Sequence, residues 1–234
     1  MAQRYPDAYD GIAVGAPAIS TAKLYAGIAW PQLFMRFNDV FPYNCELEAL
    51  SIAAIKACDG LDGVEDDVVA DYEGCFAKFD PFTQVGQEID CSDTDGKVKI
   101  SEGAAAVANA TWQGVETTDG RSLGLGGIGF TQEAPFSFAE TNCTGSDGCT
   151  GTVQYLIPIY YAAMVATDPT FDILNVTHEQ LDQLNYVANE RLASFLNTDN
   201  ADLTAFHKAG GKVIVWHGTV GCGQKHCDYQ ANLR

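Results

Sequence analysis

Apolar residues recur most regularly at 177–196, THEQLDQLNYVANERLASFL. Leu181, Leu184, Val187, Ala188, Leu192 and Phe195 fall at intervals of three and four. Thr177 and Gln180 make a capping-box pattern at the start, so this stretch reads as a helix. ELEALSIAAIKAC (46–58) reads as a second helix, with Leu47, Leu50, Ile52, Ala54 and Ile55 on a broad face, and ISEGAAAVANATW (100–112) as a third. Two short runs read differently. YDGIAVGAPA (9–18) predicts a buried strand from Gly11 to Val14, ending in a Gly/Pro turn. In GGKVIVWHG (210–218), Val213 to Trp216 is a continuous apolar run between glycines, which predicts a strand covered on both faces. DLTAFHKAGG, just before it, predicts a short helix with Asp202 as N-cap and Gly210 as the stop. Helix followed by buried strand is the rhythm of a parallel sheet. The stretches 75–100 and 114–152 are rich in Gly, Asp, Thr and Ser and read as long loops. No internal repeat is visible. The layout is two strands bracketing a large helix-and-loop insertion.

Charge narrows the partners. The chain has 234 residues, enough for one large domain or a core with a sizeable insertion. It carries 31 acidic against 13 basic side chains, a net charge of −18. Nucleic acid and anionic membranes would be repelled, so neither is expected as a partner. The sequence sets no oligomeric state.

Cysteines and sequons point to a compartment. The eight cysteines include no C-x-x-C pair, which argues against structural zinc. An even number spread over acidic loops suggests disulfides and an oxidising environment. Three N-x-S/T sequons, at Asn109, Asn142 and Asn175, are candidate glycosylation sites and agree with secretion. MAQRYPDAYDG has no apolar signal-peptide core, so a truncated N-terminus is expected. No stretch is long enough to span a membrane.

The sharpest local feature is CDGLDGVEDDVV (58–69). Its acids are Asp59, Asp62, Glu65, Asp66 and Asp67, with no Lys or Arg between them. The spacing is not that of an EF-hand. Read as an extended loop, with alternate residues facing one way, it could aim Asp62 and Asp66 carboxylates and Val64 and Val68 carbonyls at one centre. Asp59 would close the shell from the helix end. Oxygen ligands without His or Cys favour calcium over zinc or copper. A solvated acidic turn is the alternative. Cys58 and Cys75 bracket the loop, and a bridge between them would close about 17 residues, worth roughly 3 kcal/mol in the chain-entropy model.

Five segments resemble the tannase and feruloyl esterase family of secreted esterases, in that family's order: AQRYPDAYDGIAVGAPA (2–18), ACDGLDGVEDDVV (57–69), CFAKFDP (75–81), APFSFAETNCTGSDGCTG (134–151) and DLTAFHKAGGKVIVWHG (202–218). The resemblance implies an α/β fold: a partial α/β-hydrolase core, residues 1–22 and 201–234, with a large lid domain, residues 23–200, inserted into it. It implies a calcium ion in the lid, held by Asp59, Asp62, the Val64 carbonyl, Asp66 and the Val68 carbonyl, with Glu65 and Asp67 turned to solvent. The remaining cysteines fit Cys143–Cys149 as a local pair and Cys45–Cys91 by elimination within the lid. Cys222 and Cys227 either pair with each other or stay free.

The same resemblance implies a serine esterase acting through a Ser-Asp-His triad on phenolic esters of plant origin, feruloyl or galloyl. The family's nucleophile elbow lies just upstream of the AQRYP segment, so its serine and the oxyanion-hole residue after it are expected to be missing here. Ser20, Ser51 and Ser137 do not sit in such a turn. Gly221 stands where the family places its Asp. His226-Cys227 repeats the family's His-Cys pair but much too near the strand, and Asp228 is a poorer substitute for the acid. His217 is expected to be structural. No catalytic residue is therefore assigned, and these 234 residues are expected not to turn over esters. The alternatives are a catalytically inactive calcium-binding lid fragment and a phenolic-ester binding protein.

Overall fold

The computed structural model describes residues 1–94, 96–123, 138–144 and 148–216. Strand β1 (Gly11–Gly15) pairs in parallel with β6 (Lys212–Trp216), in register from Gly11 opposite Lys212 to Gly15 opposite Trp216. A parallel pair needs a crossover. Here the crossover contains every other element.

The excursion leaves and returns through a hydrogen-bonded neck. The Thr198 N–H donates to the Ile19 carbonyl at 2.7 Å. The Thr21 N–H donates to Asn197 Oδ1 at 3.0 Å, and Asn197 Nδ2 donates to Ser20 Oγ at 3.4 Å. Both Ser20 and Asn197 are buried. The N-terminal turn reinforces the neck: Arg4 donates to the carbonyls of Ser194, Phe195 and Asn197, and Gln3 to that of Thr198.

Helix α1 (Thr21–Asn38) runs from the neck through the middle of the insertion, although it carries Pro31 in its interior. Its apolar residues lie around most of its circumference, so it shows no amphipathic period. It serves two cores at once. One is built with α2 (Asn44–Cys58) and α4 (Glu102–Gln113) and includes Met35, Leu47, Leu50, Ile55, Val107 and Trp112. The other is built with the short helix α5 (Leu156–Ile159), the π-helical turn Tyr160–Ala166 and the long helix α6 (His178–Leu196). It includes Trp30, Leu33, Ile157, Tyr161, Leu181 and Leu192. Trp30 ties the two together, since its indole N–H donates to the Ala110 carbonyl at 3.1 Å.

Buried polar groups set the register between elements. Glu46, 4% exposed, accepts the Tyr43 N–H at 2.9 Å and the Ser101 N–H at 2.7 Å. One carboxylate thus serves the starts of both α2 and α4, where amide donors lack helical partners. Thr177 and Gln180 cap α6 reciprocally, as their spacing predicts.

Several expectations need correction. The stretch 75–100 is not a loop. It holds α3 (Tyr72–Lys78), a 3-10 turn at Pro81–Gln84 and an antiparallel hairpin of β2 (Glu88–Cys91) with β3 (Gly96–Lys99). Within 114–152, β4 (Thr141–Cys143) pairs with β5 (Cys149–Gly151). These strands are short and largely polar; Cys143–Cys149 bridges β4 to β5, whereas Cys45–Cys91 ties the end of β2 to α2. The strand at 212–216 is not covered on both sides. Ile214 is 69% and Trp216 56% exposed, and β1 is its sole partner among the described residues. The helix before it, α7 (Thr204–Lys208), starts later than its pattern suggests. Asp202 still serves its first turn, accepting the Thr204 N–H at 2.9 Å, and Gly210 adopts φ 86° beyond its end.

The third disulfide, Cys58–Cys75, joins the end of α2 to α3 with both cysteines buried in the first core. Replacing both by alanine should lower stability by about 3 kcal/mol, a fall in melting temperature of roughly 10 °C. Thermal melts of the double variant check the size. Non-reducing peptide mapping that recovers the two cysteines as free thiols would remove its premise.

Candidate functional site

The acidic loop starts where α2 ends. Residues Asp59–Asp62 form a 3-10 turn rather than extended chain, so strict alternation of side chains does not apply. Gly63 follows at φ 92° and Asp67 at φ 61°, two left-handed positions that fold the loop back on itself. Three carboxylates organise the backbone. Asp62 Oδ1 accepts the Val64 N–H at 2.9 Å, Asp66 Oδ1 accepts the Val68 N–H at 3.2 Å, and Asp59 Oδ1 accepts the Asp66 N–H across seven residues at 3.1 Å. Asp59, Asp62 and Asp66 are thus brought into one turn. Val64 lies exposed between Asp62 and Asp66, Val68 is exposed just beyond them, and Val69 anchors the loop in the first core.

The loop carries negative charge without cationic relief. The described ion pairs, Lys97–Glu88 and Arg121–Asp119, lie elsewhere. Its carboxylates do not converge. Among the described residues, the group of three ligand side chains whose donor atoms lie within 4.8 Å of one another is Cys45, Cys91 and Asp93, and those two sulfurs are already a disulfide. The donor chemistry at 59–68 is of the hard-oxygen type, and the carboxylates accept loop amides rather than gathering round one centre.

The sequons fall in different settings. Asn142 is exposed in β4, and Asn175 is exposed with its amide donating to Asp172 Oδ2 at 2.7 Å. Asn109 lies within α4 and is half-buried, a less accessible position.

Nucleophilic chemistry finds little support among the described residues. Ser20 belongs to the neck and Ser101 caps α4. His178 stacks on Phe37, with ring centroids 5.2 Å apart, and its Nε2 bonds the Glu116 carbonyl at 2.8 Å. His207 is exposed on α7. One G-x-S-x-G match escaped the reading above: Gly120-Arg121-Ser122-Leu123-Gly124. The structure places Ser122 in a hairpin, bridged to Glu116 across a turn closed by the Thr117 N–H to the Arg121 carbonyl at 2.9 Å. An elbow needs a strand leading through a sharp turn into a helix, and Ser122 instead sits in an isolated bridge, the residues after Leu123 lying outside the described ones. Asp119 in that turn is held at about 2, well below the usual carboxylate range, by hydrogen bonds from Arg121 and then Thr117. Ser137, His217, Gly221, Cys222, His226, Cys227 and Asp228 lie outside the described residues. Among the described residues every cysteine is disulfide-bonded.

Comparison with known proteins adds the context. The family model described as tannase and feruloyl esterase matches residues 1–224. A probable feruloyl esterase of Arthroderma benhamiae is 32% identical over 93% of this chain and 39% of its own length. A tannase of Aspergillus oryzae is 26% identical over 92% of this chain and 42% of its own. The structure of a tannin acyl hydrolase from Aspergillus niger superposes with a TM-score of 0.83 at 29% identity, covering 99% of this chain and 43% of that one. The chain therefore spans about two fifths of the length of the relatives it matches.

Proposed function

Because the chain belongs to the tannase and feruloyl esterase family, we propose that it is the lid-bearing segment of a secreted carboxylic ester hydrolase acting on feruloyl or galloyl esters of plant origin. The observation that carries this reading is the likeness to a tannin acyl hydrolase over 99% of the chain. In this reading residues 1–22 and 201–234 belong to the α/β-hydrolase core and residues 23–200 form the lid. The β1–β6 pair is the seat of the core, and the neck at 19–21 and 197–198 is where the lid is hinged to it.

The ester chemistry of the family requires an activated serine and a pair of oxyanion donors. Among the described residues no serine sits in such a turn, His178 is engaged with Phe37 and the Glu116 carbonyl, and His207 is exposed. The segment therefore supplies substrate-facing surface rather than nucleophile. This also favours the second reading, a phenolic-ester binding protein without turnover. The discriminating assay takes the 234-residue chain with methyl ferulate, methyl gallate and p-nitrophenyl acetate. Hydrolysis close to the uncatalysed rate is expected, since loss of one triad member already costs several orders of magnitude. Turnover that persists through purification and is abolished by a serine-directed covalent inhibitor would overturn the assignment, with Ser122 the first serine to examine.

We also propose calcium as the occupant of the acidic loop. Asp59, Asp62, Asp66 and the carbonyls of Val64 and Val68 would hold it, and the ion would neutralise the loop and fix it to the Cys58–Cys75 staple. The three backbone-bonded carboxylates support the fit. Their separation implies that the loop tightens on binding, so the ion should contribute measurably to stability. Elemental analysis of purified chain is expected to give one calcium per molecule. Chelation should lower the melting temperature, and Asp62→Ala should abolish the difference between chelated and calcium-loaded protein. No bound calcium, together with a melt indifferent to chelator, would reject the proposal.

A further inference from the structure

Three tyrosine rings meet in the second core. Tyr25, near the start of α1, stacks on Tyr160 with ring centroids 4.0 Å apart and planes only 5° from parallel. Tyr161 meets Tyr160 edge to face, with centroids 5.2 Å apart and planes at 83°. Tyr160 and Tyr161 open the π-helical turn. Both are buried, whereas Tyr25 is half-buried and is the member of the group that solvent reaches.

The oxygens of these phenols are not equivalent. The Tyr161 hydroxyl donates to Asn185 Oδ1 at 2.9 Å. The Tyr160 hydroxyl is shielded from water and has no partner among the described residues. A phenylalanine would fill the same stack without leaving a buried oxygen unpaired, so packing does not account for this hydroxyl. Burial, and then the Tyr25 phenol beside it, push the Tyr160 hydroxyl up to about 12. The two phenol oxygens of the stack therefore lie near enough to feel one another. Parallel rings at this separation set ring carbon against ring carbon across about one van der Waals gap. The second core also lacks a covalent staple: among the described residues, none of the disulfide cysteines belongs to it.

We propose that Tyr25 and Tyr160 form an oxidative cross-linking site, joined as dityrosine by a haem peroxidase that uses hydrogen peroxide. Each phenol gives up one electron and one proton. The two radicals pair in one new carbon–carbon bond between positions ortho to the hydroxyls. The hydrogens on those two carbons move to the oxygens, which restores both phenols. The peroxide takes up the two electrons and two protons and becomes two waters. Tyr25 is the point of entry, and its radical finds a second phenol already in ring contact. The new bond ties the start of α1 to the π-helical turn. The inference needs no ester, no metal and no nucleophile, so it stands apart from the hydrolase reading.

The test treats the purified 234-residue chain, dilute and at low salt, with a plant haem peroxidase and one equivalent of hydrogen peroxide. At a net charge of −18 the chains repel one another, which suppresses coupling between exposed tyrosines of different molecules. Dityrosine fluorescence is expected in the monomer. Peptide mapping should recover the segments bearing Tyr25 and Tyr160 as one species, two hydrogens lighter than their sum. Tyr160→Phe keeps the stack and removes only an unpartnered oxygen, so it should fold as the parent does and lose nearly all of the monomer's dityrosine. Tyr25→Phe should lose it as well, whereas Tyr186→Phe, at an exposed position on α6, should keep it. Dityrosine confined to cross-linked dimers, a monomer linked through other tyrosines, or full yield from the folded Tyr160→Phe and Tyr25→Phe variants would overturn the proposal.

Discussion

The parallel pairing of β1 with β6 is the constraint from which the rest follows. It places Gly11 and Lys212 side by side, so nearly two hundred residues must form a closed excursion between adjacent strands. Closing so long a loop is entropically costly, though the cost grows only slowly with length. The neck bears that cost through specific contacts. Asn197 is its central residue, taking the Thr21 amide on its oxygen and giving its nitrogen to Ser20. Both side chains are buried, so each bond is made where an unpartnered group would be expensive.

Beyond the neck, α1 carries the insertion. A helix serving two cores must be apolar on nearly all sides, and this one tolerates Pro31 because packing outweighs the lost backbone bond. The first core holds the acidic loop through Val69 and the Cys58–Cys75 bridge. The second holds α6 through Leu181, Ala188 and Leu192. The two cores are joined through α1 and the Trp30 indole.

The sequence was legible where one physical signal dominated. The period of Leu181, Leu184, Ala188 and Leu192, with the Thr177 cap, marks α6 almost to the residue. The glycine-bounded runs mark both strands. Helix α1 carries no such signal, because a helix buried on all sides has no polar face to set a period, and its proline argues against helix. The hairpins at 88–99 and 141–151 were hidden by polar composition; one disulfide bridges the second across its strands and another anchors the first to α2. The acidic loop showed its residue types but not its shape. Left-handed backbone at Gly63 and Asp67 turns it, and an aspartate at positive φ is not something spacing can reveal.

The central claim is that the insertion is a body of its own, closed at the neck and hinged on a two-stranded seat. Native-state hydrogen exchange tests it most directly. The Thr198 and Thr21 amides should be protected at least as strongly as those of the β1–β6 ladder, because the neck closes the insertion by itself and the strands can part while it stays shut. Thr198 and Thr21 exchanging at unprotected rates while the ladder stays protected would contradict the account.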